Sequence, residues 1–148
     1  MTRAVIVLTL PLVWALMATA GDDSAKKLAG TWEAKDNPAH TWTFDLTDKG
    51  MHVLETDNGR TVADYVCNTS GRDCDIKREG HDAKVSLWYN GSKLVEMITE
   101  GSHVVKRRYA PASEGTTLEV EVISVVPEGR TEKLALLRHG DVQTASER

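Results

Sequence analysis

The chain has 148 residues, with 18 basic and 22 acidic side chains, a formal charge of −4, 41% hydrophobic residues and two cysteines. That length supports one domain with a real apolar core. The acidic balance excludes a nucleic-acid surface, which needs a clustered basic excess, and two cysteines cannot build a disulfide-dense miniprotein or a four-ligand zinc site.

Residues 1–20 read as an address. Arg3 is their only charge, residues 4–17 form an apolar run, and Ala18-Thr19-Ala20 supplies small residues before the polar Gly21-Asp22-Asp23. This is the grammar of a secretory signal peptide cut after Ala20. The run falls short of the ~20 residues that a membrane span needs, and Pro11 interrupts it. The expectation is a secreted or periplasmic protein with no transmembrane span in its mature form. No cysteine stands at the cut to carry a lipid. Residues 21–29 allow one helical turn, with Ser24 as N-cap. The β-domain is expected over 30–138, and 139–148 form a polar tail.

From Gly50 onward the glycines are spaced 9 to 14 residues apart. Short strands between turn signals at such intervals mark an all-β sandwich or barrel. Asn58-Gly59 and Asn90-Gly91 suit two-residue hairpin turns, in which both central residues need positive φ. Strands are predicted at 30–36, 40–46, 51–57, 60–67, 73–78, 83–89, 92–99, 103–109, 116–125 and 130–138. Alternation is clear in Trp42/Phe44/Leu46, Val85/Leu87/Tyr89 and Leu118/Val120/Val122. Every connection after the first is short, so the strands form an antiparallel meander of eight to ten. Closure removes the exposed edges of such a sheet. The predicted fold is therefore an up-and-down barrel, with a β-sandwich as the alternative.

Leu28-Ala-Gly30-Thr31-Trp32 opens the first strand directly after the helical turn, and Arg138 stands near the end of the last. This resembles the Gly-x-Trp opening of the lipocalins and their relatives, the calycin group of small-ligand barrels. The resemblance implies that Trp32 packs at the closed end of the barrel against Arg138. The Thr-Asp-Tyr motif of true lipocalins is absent, and Asp36-Asn37-Pro38-Ala39 is too short for their lid. That loop also excludes the helix pair that cytosolic fatty-acid-binding proteins insert there.

Tight turns fix register, so facing residues can be read from the sequence. A turn centred on Asn90-Gly91 sets Leu87 opposite Leu94 and Val85 opposite Glu96. One centred on Gly101 sets Ile98 opposite Val105, Glu96 opposite Arg107 and Leu94 opposite Tyr109. The 110–115 loop sets Arg107 opposite Leu118, and the last turn sets Leu118 opposite Arg138. One face then collects Val85, Leu87, Tyr89, Leu94, Ile98, Val105, Tyr109, Leu118, Val120, Val122, Leu134 and Leu136, with Glu96, Arg107 and Arg138 embedded in it. In the first strands, Trp42, Phe44 and Leu46 face Met51, Val53 and Glu55, with Val62, Asp64 and Val66 beyond.

An inward arginine among leucines and valines must find partners, since an unpaired buried charge costs several kcal/mol. Two readings compete. In one, Glu96 neutralises Arg107 and Arg138 covers Trp32. In the other, Arg107, Tyr109 and Arg138 line a lumen, beside Glu96, Trp42 and Phe44, and hold an anionic head through the planar arginine fork.

The only two cysteines, Cys67 and Cys74, flank a polar turn in an exported chain. A disulfide between them is predicted. The chain has no Gly-rich phosphate loop, no Gly-x-Ser-x-Gly and no His-x-x-x-His. His40, His52, His81, His103 and His139 are scattered and read as solvent-facing. No metal or cofactor is expected. Trp32-Glu-Ala-Lys35 lacks the Gly-rich opening of the haem-binding relatives. Asn68-Thr-Ser70 and Asn90-Gly-Ser92 match the glycosylation acceptor pattern. The sequence therefore points to an exported, non-catalytic barrel. It either binds a small, partly hydrophobic and anionic molecule or serves as a scaffold. The rival is a cell-envelope interaction or inhibitor module, working through an outer apolar patch of Trp88, Val95, Met97 and Val104.

Overall fold

A computed structural model describes residues 20–140. Residues 1–19 of the expected signal peptide and residues 141–148 of the expected tail lie outside the described residues. Ala20, the expected last residue of the leader, begins helix α1 (Ala20–Leu28). Ser24 therefore sits inside this helix, buried, and is not its N-cap.

Ten strands follow: β1 (Gly30–Ala34), β2 (Asn37–Thr47), β3 (Gly50–Asp57), β4 (Arg60–Cys67), β5 (Ser70–Arg78), β6 (His81–Asn90), β7 (Lys93–Glu100), β8 (His103–Pro111), β9 (Thr117–Val126) and β10 (Thr131–Arg138). Each pairs antiparallel with its neighbours in sequence, and β1 pairs with β10 to close the barrel. The fold is the lipocalin-like up-and-down barrel, not a sandwich. α1 lies across the end where β1 starts and β10 finishes. At the opposite end lie the β3–β4, β5–β6, β7–β8 and β9–β10 turns.

The closed half is packed side chain against side chain. Trp32, Trp42, Phe44, Met51, Leu87 and Tyr109 are each at most 1% exposed. Phe44 meets Tyr109 edge to face, with ring centroids 5.0 Å apart. The predicted inward face of β6–β10 is the inward face observed, but several partners along it differ. The two-residue loop of the β6–β7 hairpin is Gly91-Ser92, flanked by the pair Asn90↔Lys93. Gly91 has φ +61 and leads a turn that needs positive φ at its first central residue only. Leu87 therefore faces Glu96, and Val85 faces Ile98. At Asn58-Gly59 both residues are left-handed, as expected of that dipeptide (φ 49 and 75).

The Gly101 register, with Glu96 opposite Arg107, is as predicted. The next two are not. β8 runs on to Pro111, which pairs with Leu118, so Arg107 faces Val122 instead of Leu118. Leu118 faces Leu136, not Arg138. All these slides are even-numbered and keep every side chain on its face, which is why alternation could not detect them.

One slip is odd. A bulge between Glu55 and Thr56 on the β3–β4 ladder shifts the register after the Asn58-Gly59 turn. Glu55 faces Ala63, Val53 faces Tyr65, and Met51 faces Cys67. Ala63, Tyr65 and Cys67 therefore point inward, whereas Asp64 and Val66 point out. A single extra residue exchanges the two faces of a strand. Leu46 keeps its predicted partner Met51 but lies beyond the core, 52% exposed.

Candidate functional site

At the closed end, the Trp32 indole N–H donates to Leu28 O at 2.8 Å, which ties β1 to the last turn of α1. The Arg138 guanidinium stacks 4.2 Å above the Trp32 ring. It donates to the carbonyls of Gly115, Ala29 and Lys27 at 2.7–2.8 Å. Arg138 thus binds the helix, the β8–β9 loop and the barrel floor together. It does not share a lumen with Arg107, because strand β10 carries it to the opposite end.

The ionic residues lie toward the other end. Glu55 is 2% exposed and its carboxylate is the hub. Arg78 Nη1 and Arg107 Nη1 each donate to Oε2 at 2.9 Å, and Arg107 Nη2 approaches Oε1 at 3.4 Å. His40 Nε2 lies 2.9 Å from Oε1. Burial pushes the Glu55 carboxyl up, but Arg107 and Arg78 outweigh it and hold the group at about 2. Glu96, also 2% exposed, is the second buried carboxylate. Tyr65 OH donates to Oε1 and Tyr109 OH to Oε2, the latter at 2.7 Å. Burial, reinforced by the Glu96 charge, raises both phenols well above their ordinary range. Arg107 Nη1 stands 3.6 Å from Glu96 Oε2 and links the two hubs.

Glu96 and Arg107 do face each other, but Glu55 is the closer partner of Arg107. Of the predicted candidates, Arg107, Glu96 and Tyr109 share this network. Trp42 stacks on His40 with centroids 3.9 Å apart, and Phe44 belongs to the packed core. Glu55, His40, Tyr65 and Arg78 were missed as members, Glu55 having been placed on the inner wall without a role in the site. His40 was read as solvent-facing, and the β3–β4 bulge hid Tyr65. Arg78 sits at the last position of β5, where alternation has too few residues to speak.

The network is donor-rich. Each guanidinium carries five N–H groups, yet Arg78 spends one hydrogen bond and Arg107 two on the protein. Both arginine side chains are only 13% exposed. The Trp42 Nε1 is buried without a partner. Beside this group the inward Val105, Val122 and Leu134 are half-buried.

The outer wall carries the predicted apolar patch in a subdued form. Trp88 is half-buried and faces Val95, itself only 2% exposed. Met97 and Val104 are also half-buried, while Val125 and Val126 are exposed. Cys67 and Cys74 are joined in a disulfide. Among the other histidines, His52 lies outside between Asp45 and Asp64, and the exposed His139 pairs with Glu33.

No family model and no curated protein matches the chain. Among solved structures it is similar to a secretory abundant heat soluble protein of Ramazzottius varieornatus, with a TM-score of 0.65 and 12% identity. It is also similar to secretory abundant heat soluble protein 4 of the same organism, with a TM-score of 0.62 and 16% identity. Each match covers 76% of this chain and 95% of the other. At such identities the likeness is one of fold.

Proposed function

We propose that this barrel is an exported, non-catalytic binding protein that takes a small, partly apolar anion at its open end. One observation carries the reading: Arg78 and Arg107 are almost buried, yet most of their N–H donors have no acceptor on the protein. A carboxylate or sulfonate head supplies the missing acceptors, and the flat guanidinium fork suits its geometry. The apolar part of the ligand rests on Val105, Val122 and Leu134. Because the closed half is filled, the ligand sits in the mouth and not in a deep lumen. Export fits the single disulfide, since such bonds persist in oxidising compartments.

Calorimetric titration of the protein with decanoate and with decanol tests this. Decanoate should bind, decanol should not, and Arg78→Gln should weaken decanoate by about 10–100-fold, the range for a charge-assisted hydrogen bond. Equal binding of acid and alcohol, or no binding of either, refutes the reading. The outer patch around Trp88 remains the basis of a second reading, a protein-interaction surface. The exposed Val125 and Val126 beside it favour that reading.

A further inference from the structure

The barrel wall has one interrupted seam. β3–β4 and β5–β6 each run through seven registered pairs, whereas β4 and β5 share the single pair Ala63↔Arg78. Next to that pair, Glu79 N–H donates to Val62 O at 2.8 Å. The same register carried along the strands sets Asp64, Tyr65 and Val66 opposite Lys77, Ile76 and Asp75, with no ladder between them. It ends at Cys67 and Cys74, where the disulfide holds the two Cα atoms 5.9 Å apart. The open interval is thus bounded by hydrogen bonds on one side and a covalent bond on the other. A recess of about 410 Å³ lies over it, lined by Asp64, Tyr65, Val66, Asp75, Ile76 and Lys77 among others. Tyr65 and Ile76 close it from within at 7% and 8% exposure, and the Tyr65 hydroxyl reaches Glu96.

We propose that this interval is a gate in the barrel wall and that the Cys67–Cys74 disulfide is its latch. Parting the strands between Asp64 and Val66 breaks no backbone ladder. It separates Tyr65 from Ile76 and withdraws one phenol from Glu96. Elsewhere in the wall the same movement would break a row of hydrogen bonds. The latch is released by a small-molecule thiol. Its thiolate attacks Cys74 Sγ, the half-buried sulfur, since Cys67 is only 1% exposed. A mixed disulfide forms on Cys74, and Cys67 leaves as a thiolate that takes up a proton. A second thiolate attacks the small-molecule sulfur of the mixed disulfide, frees Cys74, and leaves the two reductant molecules joined as a disulfide. Two electrons pass to the protein. The unlatched gate gives a side entrance at Tyr65, with Tyr109 still behind Glu96 on its other carboxylate oxygen, and only the question of what enters rests on the anion-binding reading.

Tyrosine nitration by tetranitromethane, read peptide by peptide with no ligand present, tests the gate on the full chain. The Cys67→Ser/Cys74→Ser variant is compared with the oxidised protein, after circular dichroism shows that both are folded. Tyr65 should nitrate about tenfold faster in the variant, while Tyr109 keeps its rate, as local opening requires. A parallel rise at both tyrosines means global loosening, and no rise means a wall that stays shut without the bond. Either result overturns the proposal. If the serine variant does not fold, Cys67→Ala/Cys74→Val carries the same comparison with an apolar filling. Failure of decanoate to bind would overturn the anion-binding reading alone.

Discussion

Replacing Glu55 with glutamine removes the one charge toward which Arg78, Arg107 and His40 converge. The carboxyl is held at about 2, against 4.5 for an unperturbed glutamate. By linkage, that difference is worth about 3 kcal/mol of folding stability at neutral pH. The folded value lies below the unfolded one. The stabilisation is therefore complete above about pH 5 and is lost as the pH falls from about 4.5 toward about 2. At neutral pH, Glu55→Gln also strands two nearly buried guanidinium groups, with only Glu96 left to face Arg107. A loss of about 3–5 kcal/mol is expected, the range for removing one partner of a buried ion pair. Urea melts followed by tryptophan fluorescence, taken from about pH 7 to about pH 2, compare the two proteins. Their stabilities should draw together toward the acid end, where wild-type Glu55 is itself taking up its proton and most of its charge-dependent stabilisation is lost. A difference that stays constant with pH, or stays below about 1 kcal/mol at neutral pH, refutes the account of Glu55 as a charged hub.

Trp32→Ala should cost about 3–5 kcal/mol, the range for a buried aromatic. Urea melts check it, and a shift within about half a kcal/mol would show that the indole does not hold the closed end. Gly50 has φ +133, and a Cβ there would stand 2.2 Å from Cys67 O, a backbone atom. Gly59 has φ +75 with open space around it. Gly50→Ala should therefore lower the thermal midpoint several degrees more than Gly59→Ala, and equal losses would show that φ alone matters. The hydrogen bond to Asp64, with help from Asp45, raises the His52 pKa above 6.5. His52 thus contributes stability below its unfolded pKa that is lost as the pH rises through the folded one. In an NMR titration, Asp64→Asn should lower the midpoint, and an unchanged midpoint would contradict the assigned cause.

The candidate site was half legible in the sequence. The Gly101 turn placed Glu96 opposite Arg107 directly, because a two-residue loop leaves little freedom of register. The partnership of Glu55 with Arg107 joins residues of β3 and β8, which are not neighbours in the wall. It forms across the barrel interior, where no local rule applies. His40 looked like a surface histidine because the histidines are scattered one to a hairpin, and only closure of the barrel brings it over Trp42 and Glu55.

The sequence by itself determined the ten strands, the order in which they pair, the inward face of β6–β10 and the Cys67–Cys74 bridge. The strands and their faces follow from turn chemistry and a two-residue period, both written in adjacent residues, and the bridge from there being only two cysteines in a chain read as exported. Tertiary structure decided the slides along the strands. A two-residue slide changes every partner without changing any face, so interlocking of side chains inside the closed barrel must select among registers. It also decided the inward face of β4. The bulge beside Glu55 gives up one ladder position and puts Ala63, Tyr65 and Cys67 inside, where Tyr65 meets Glu96. In the unbulged register the inward positions are Val62, Asp64 and Val66, which would crowd a third carboxylate in with Glu55 and Glu96 and take from Glu96 the hydrogen bond that Tyr65 donates.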